Sequence, residues 1–178
     1  MVRRFIHEKY KQKFLTEKKT GGGGSVGIWG CIHKNGVGAC QIYSNRMNGA
    51  LYIQTLENYL LPSIQLLVPD PQNTGSYTYQ QDNAPCHRAK IFKEWLEENR
   101  IVTTDWPAYS PDLNPIENIW SHIDRQLHDV EMNSLEECGD KIQEVYNSIP
   151  VSMCRNLIES MPRRIKMCFR ARGGHFKY

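Results

Sequence analysis

Residues 76–87, Ser76-Tyr77-Thr78-Tyr79-Gln80-Gln81-Asp82-Asn83-Ala84-Pro85-Cys86-His87, read as a short strand that delivers an aspartate to its C-terminal end and then turns. Mixed α/β folds place ligand-binding groups at such strand ends. A second acid, Glu117, lies within Ser110-Pro111-Asp112-Leu113-Asn114-Pro115-Ile116-Glu117-Asn118-Ile119-Trp120. Asn114 fits a helix N-cap there, Pro115 the N1 position and Glu117 the N3 position of a capping box. A carboxylate in the first turn feels the positive end of the helix dipole, which favours its ionised form. Spacing alone leaves two readings open. One is an Asx turn at Asp82 and a helix cap at Glu117; the other is a pair of oxygen ligands for Mg2+ or Mn2+.

Working outward, Ser25 to Ile32 reads as a buried strand, Asn35-Gly36 as a hairpin turn and Val37 to Tyr43 as the returning strand. Asn48 can cap a helix reaching about Leu60, with Tyr52, Ile53, Leu56, Tyr59 and Leu60 at helical spacing, and Pro62 ends or kinks it. A helix over 88–99 buries Ala89, Phe92, Trp95 and Leu96 and can pair Lys90 with Glu94 and Lys93 with Glu97. A short strand over 101–105 precedes the proline-rich turn, and two more helices are predicted over 134–147 and 152–159. This order predicts one α/β domain spanning 1–178, a mixed sheet flanked by helices.

The totals set bounds. At 178 residues, 40% hydrophobic and 23% charged, the chain has the composition of an ordinary globular domain. No apolar run approaches the roughly 20 residues of a membrane span, and the N-terminus lacks the apolar stretch of a secretory signal. Six scattered cysteines, none in a C-x-x-C pair, read as reduced thiols. The net charge of +3 is unevenly spread: residues 1–19 and 161–178 are strongly basic and the middle is acidic. Basic ends around an acidic body fit phosphate contact, and equally a solvated surface.

The flanks of the two acids carry more. Gln81-Asp82-Asn83-Ala84-Pro85-Cys86-His87, Asp105-Trp106-Pro107 and Ser110 to Trp120 together resemble the catalytic core of Tc1/mariner-type transposases. The 34 residues between the acids match the interval of the Tc1 branch, the so-called DD34E pattern. Gly22-Gly23-Gly24-Ser25-Val26 with Trp29-Gly30-Cys31, and Ser160 to Arg164 with Gly173 to Tyr178, extend the likeness over nearly the whole chain.

The resemblance implies an RNase H-like fold, a DDE site holding two divalent ions (Mg2+ or Mn2+), DNA and a second copy of the chain as partners, and a nuclear location. Asp82 would be the second acid and Glu117 the third. His87 and Arg88 would lie near the scissile phosphate, with helix capping and surface charge as their alternative roles. Arg163, Arg164 and Lys166 would contact DNA. The resemblance also implies a first acid on a central strand before the glycine run, and the family's helix-turn-helix pair before that. Nothing between Met1 and Gly24 supplies an aspartate. The expectation is therefore a catalytic domain shortened at its N-terminus, its sheet lacking the first strand, and inactive alone. The alternative is a non-catalytic remnant that binds nucleic acid or protein.

Overall fold

The computed structural model describes residues 26–44, 47–73, 75–82, 90–107 and 110–171, without the side chain of Asp112. The glycine run, Cys86, His87, Arg88 and the residues after Ala171 lie outside the described residues. An antiparallel hairpin of β1 (Gly27–His33) and β2 (Gly36–Tyr43) forms the sheet. Side chains alternate across a strand, and here both faces are covered. Ile28 and Ile32 pack with Cys40 and Ile42 into one cluster, whose centre is Ile119, Ile123, Ile142 and Tyr146. Trp29 and Cys31 point the other way, against Tyr52, Leu56, Leu60, Phe92 and Trp95. Burying a large apolar side chain contributes roughly 1.5–3 kcal/mol, so double-sided burial fixes the hairpin's register strongly.

Gly36 sits just after the turn rather than inside it. The two loop residues are Lys34 and Asn35, His33 pairs with Gly36, and Gly36 takes φ +142°, a conformation that glycine adopts without steric cost. A bulge lies between Gly30 and Ile32. The N–H of Ala39, opposite it, donates to Ser63 Oγ at 2.8 Å, so the irregularity leaves no orphan there.

Asn48 caps α1 (Gly49–Thr55) as read from the sequence, its Oδ1 accepting from Leu51 N–H at 2.9 Å. Pro62 does not end that helix. The chain widens into one π-type turn over Leu56–Leu60 and continues as α2 (Leu61–Leu67). The Leu61 N–H reaches back five residues to Leu56, and Pro62 falls at the start of the next segment, where its missing N–H costs least. α3 (Lys90–Glu98) buries Phe92 and Trp95 and forms the Lys90–Glu94 pair at 3.4 Å.

Among the described residues, the expected strands over 76–81 and 101–105 reduce to a parallel bridge between Tyr79 and Thr103, with Tyr79 N–H donating to Val102 O at 2.8 Å. α4 (Ile116–Gln126), α5 (Leu135–Asn147) and α6 (Val151–Glu159) form the layer below the hairpin. Ser134 caps α5 through Glu137 N–H. A further helix, α7 (Met161–Arg170), adds to the elements expected from the sequence; its signal is Pro162 in the first turn, followed by apolar residues at helical spacing.

The cysteines described are free, and burial pushes Cys31 and Cys40 up to about 11, which keeps them unreactive thiols. No helix among the described residues is long and apolar enough to cross a membrane.

Tyr146 of α5 ties the helical layer to the hairpin. Its hydroxyl accepts from Cys31 N–H at 3.1 Å and donates to Cys31 O at 2.7 Å, and its ring stacks on Trp120 at 6.1 Å. The residue is fully buried. Tyr146→Phe keeps the ring but strands two backbone groups. Such a loss costs about 2–3 kcal/mol; urea unfolding followed by far-UV circular dichroism should show it, with an unchanged m-value.

Candidate active site

The segment ending at Asp82 is held from two sides. Tyr52 of α1 donates to Gln81 Oε1 at 2.8 Å, and its hydroxyl lies 2.9 Å from that of Tyr79. Gln80, between them, faces elsewhere, and its Nε2 donates to Asn114 Oδ1 at 3.3 Å. This is the alternation of an extended chain. It puts Asp82 on the side of Gln80, toward the residues that lead into α4.

Glu117 lies in the first turn of α4. The capping box expected there is not formed. Pro115 occupies the N-cap position, the N–H of Asn114 donates to Pro111 O at 2.9 Å, and the Asn114 amide serves Gln80 instead. Among the described residues, Glu117 Oε1 is buried with no hydrogen-bond partner. Burial, and then the negative charge of Asp82, push the Glu117 carboxyl up to about 7. The fold thus brings the two acids within each other's field, which the helix-cap reading does not account for.

An orphaned, partly neutralised carboxyl beside a second carboxylate suits a hard divalent cation. Mg2+ is commonly held by one or two carboxylates, with water and substrate phosphates completing the shell. The residues present fit such an ion as a pair: among the described residues no three His, Cys, Asp or Glu side chains gather as a metal site. Asp82, Asn114 and Trp120 line a cleft of about 380 Å3 whose opposite wall is β1, from Ile28 to His33. That cleft separates the edge of β1 from the 77–82 segment.

The basic residues divide. Arg163 and Lys166 are exposed on α7, as phosphate contact requires. Arg164 corrects the expectation: it is 1% exposed, and its Nε donates to Ser160 Oγ at 2.7 Å, so it serves the fold rather than a surface contact. Arg170, which sequence reasoning passed over, is exposed and shares a helical face with Arg163 and Lys166. Phe169, 87% exposed, lies beside them. The helical period of 161–170 is the signal that sorts Arg164 from its neighbours.

Residues 3–138 match the model of a family described as DDE superfamily endonuclease. The chain is 32% identical over 177 residues to the Tcb2 transposase of Caenorhabditis briggsae and 32% identical over 178 residues to the Tc1 transposase of Caenorhabditis elegans. Each alignment covers 99% of this chain and 63% of the relative, so the chain spans under two thirds of the length of these proteins. Among solved structures, it resembles the Mos1 transposase catalytic domain with Raltegravir and Mn (TM-score 0.79, 23% identity, 98% of this chain and 92% of that one). It also resembles the Mos1 mariner paired-end complex with Mn (TM-score 0.80, 24% identity, 91% of this chain and 48% of that one). The fold is accordingly RNase H-like, with a short two-stranded sheet among the described residues.

The raised Glu117 carboxyl predicts a pH dependence. Between about pH 4.5 and 7 the folded chain keeps a proton that the unfolded chain has released, so stability falls as pH rises through that window. Glu117→Gln cannot ionise and escapes this loss. In chelator-treated buffer the variant should match the parent near pH 4.5 and exceed it by about 1–2 kcal/mol at pH 8, after allowing for partial solvent screening. Urea unfolding at the two pH values checks this.

Proposed function

The chain belongs to the DDE superfamily endonucleases, and on that premise we propose that it is part of the catalytic domain of a Tc1-like transposase. The parent reaction is divalent-metal-dependent cleavage of DNA at transposon ends, followed by joining of the freed 3′-hydroxyls to target DNA in the nucleus. One observation carries the reading: Glu117 Oε1, buried without a partner and under the charge of Asp82. Leaving a polar atom in that state costs stability, and a site that takes a cation recovers the cost on binding.

Asp82 and Glu117 would hold Mg2+ or Mn2+. When bound, that ion supplies Lewis-acid stabilisation of phosphate oxygens and a more acidic attacking hydroxyl or water. The protein's own part is placement. Tyr52, through Gln81 and Tyr79, anchors the segment that ends in Asp82, and α4 sets the position of Glu117. The basic face of α7, with Arg163, Lys166 and Arg170, would run along a phosphate backbone, and the exposed Phe169 offers a surface for a base. One of the similar Mos1 structures is a paired-end complex with the left transposon end, which supports DNA as the partner in this family.

Within these 178 residues Asp82 and Glu117 would supply two of the family's three acids, and the earliest aspartate in the sequence is Asp70. We therefore read the chain as inactive by itself. Supercoiled plasmid incubated with the purified chain and Mn2+ should remain un-nicked; nicking that disappears in Asp82→Ala would show this to be wrong. DNA affinity is a separate property and favours the second reading, a nucleic-acid-binding remnant, if it survives without the acids. Binding to duplex DNA should weaken steeply with salt, and Arg163→Ala or Lys166→Ala should each lower the slope of log K against log[salt] by about one. Fluorescence anisotropy over roughly 50 to 200 mM salt measures it, and Arg164→Ala should instead lower the melting temperature.

A further inference from the structure

We propose that Gln80 and Asn114 form a clasp that sets the separation of the two carboxylates, making both of them positioning residues for the cation site. The proposal rests on the reading of Asp82 and Glu117 as metal ligands and names what holds them in register. Gln80 stands two residues before Asp82 and Asn114 three before Glu117, and their side chains meet at 3.3 Å. Asn114 holds both partners at once. Its carbonyl accepts from Glu117 N–H at 3.2 Å, fixing the first turn of α4, while its side chain grips the segment that ends in Asp82.

Neither amide has a local use that explains its place. Asn114 does not cap α4, where Pro115 takes the cap position without a side-chain bond. Gln80 points away from Tyr52, which secures its two neighbours. Among the described residues, the regular pairing of this segment is one bridge at Tyr79. The clasp lies two residues from Asp82 and three from Glu117, so it links the two acids directly. Groups that orient metal ligands in this way are commonly worth about 10–100-fold in affinity.

The test is Mn2+ affinity of the whole chain, measured by titration calorimetry to millimolar metal, for the parent, Gln80→Met, Asn114→Ala and the double variant. Each single change should weaken binding about tenfold, and the double should be no weaker than either single, because both remove one bond. Melting temperatures within about 3 °C of the parent would separate positioning from unfolding. Singles that bind like the parent, or a double that weakens about a hundredfold, would overturn the clasp and leave the carboxylate site standing. A parent that binds no Mn2+ would overturn the metal reading itself. The bond has its own metal-free check by NMR. Gln80 side-chain amide protons should exchange slowly in the parent and fast in Asn114→Ala, and fast exchange in the parent refutes the clasp whatever the metal does.

Discussion

The hydroxyl of Tyr146 is the contact on which the rest of this structure depends. It closes two hydrogen bonds on the backbone of Cys31, while the ring stacks on Trp120. One side chain therefore couples three elements: the hairpin through β1, the helix α5 that carries it, and α4, which carries Glu117. The hairpin is tailored to it, because a Cβ at Gly30 would stand 2.8 Å from the tyrosine oxygen. Only a residue without a side chain lets the phenol approach so closely. Burial pushes the Tyr146 hydroxyl well above the usual phenol range, so it stays a neutral donor and acceptor at any working pH.

The same construction explains how the hairpin is held among the described residues. Two strands alone are marginal in water, yet here each face meets its own helical cluster and the irregular points are satisfied by side chains. Ser63 serves the bulge at Ala39, and the small Gly139 lets α5 approach Ile42, where a Cβ would lie at 3.0 Å. The 77–82 segment is supported differently among the described residues. It is held by hydroxyls and amides from neighbouring elements, and this is where the acid sits. This segment carries Asp82 and α4 carries Glu117, so a few polar contacts bear on how the two acids stand to each other.

Much of the fold was legible because local chemistry and packing agree. The cap at Asn48, the apolar spacing of α3 and the alternation in β1 and β2 each served both local propensity and burial. Of the two outcomes read for Pro62, an end or a kink, the end is avoided because a widened turn just before it relieves the clash of its ring with the carbonyl four residues back. α7 escaped notice because its composition reads as a basic tail, although its period places Arg164 inside and Arg163, Lys166 and Arg170 outside. Glu117 was identified, but its local role was not, since a capping box and a ligand pair have the same sequence.

By itself, the sequence determined the family and most of the elements and singled out two acids, because capping, periodicity and motif spacing are short-range properties written in consecutive residues. Only the tertiary structure decided what those acids experience. Glu117 closes no cap because Asn114 N–H donates to Pro111 O and the Asn114 amide is taken by the distant Gln80, while burial and the charge of Asp82 act on the Glu117 carboxyl. Electrostatic fields and desolvation arise from groups distant in sequence and close in space, so they exist only once the chain has folded.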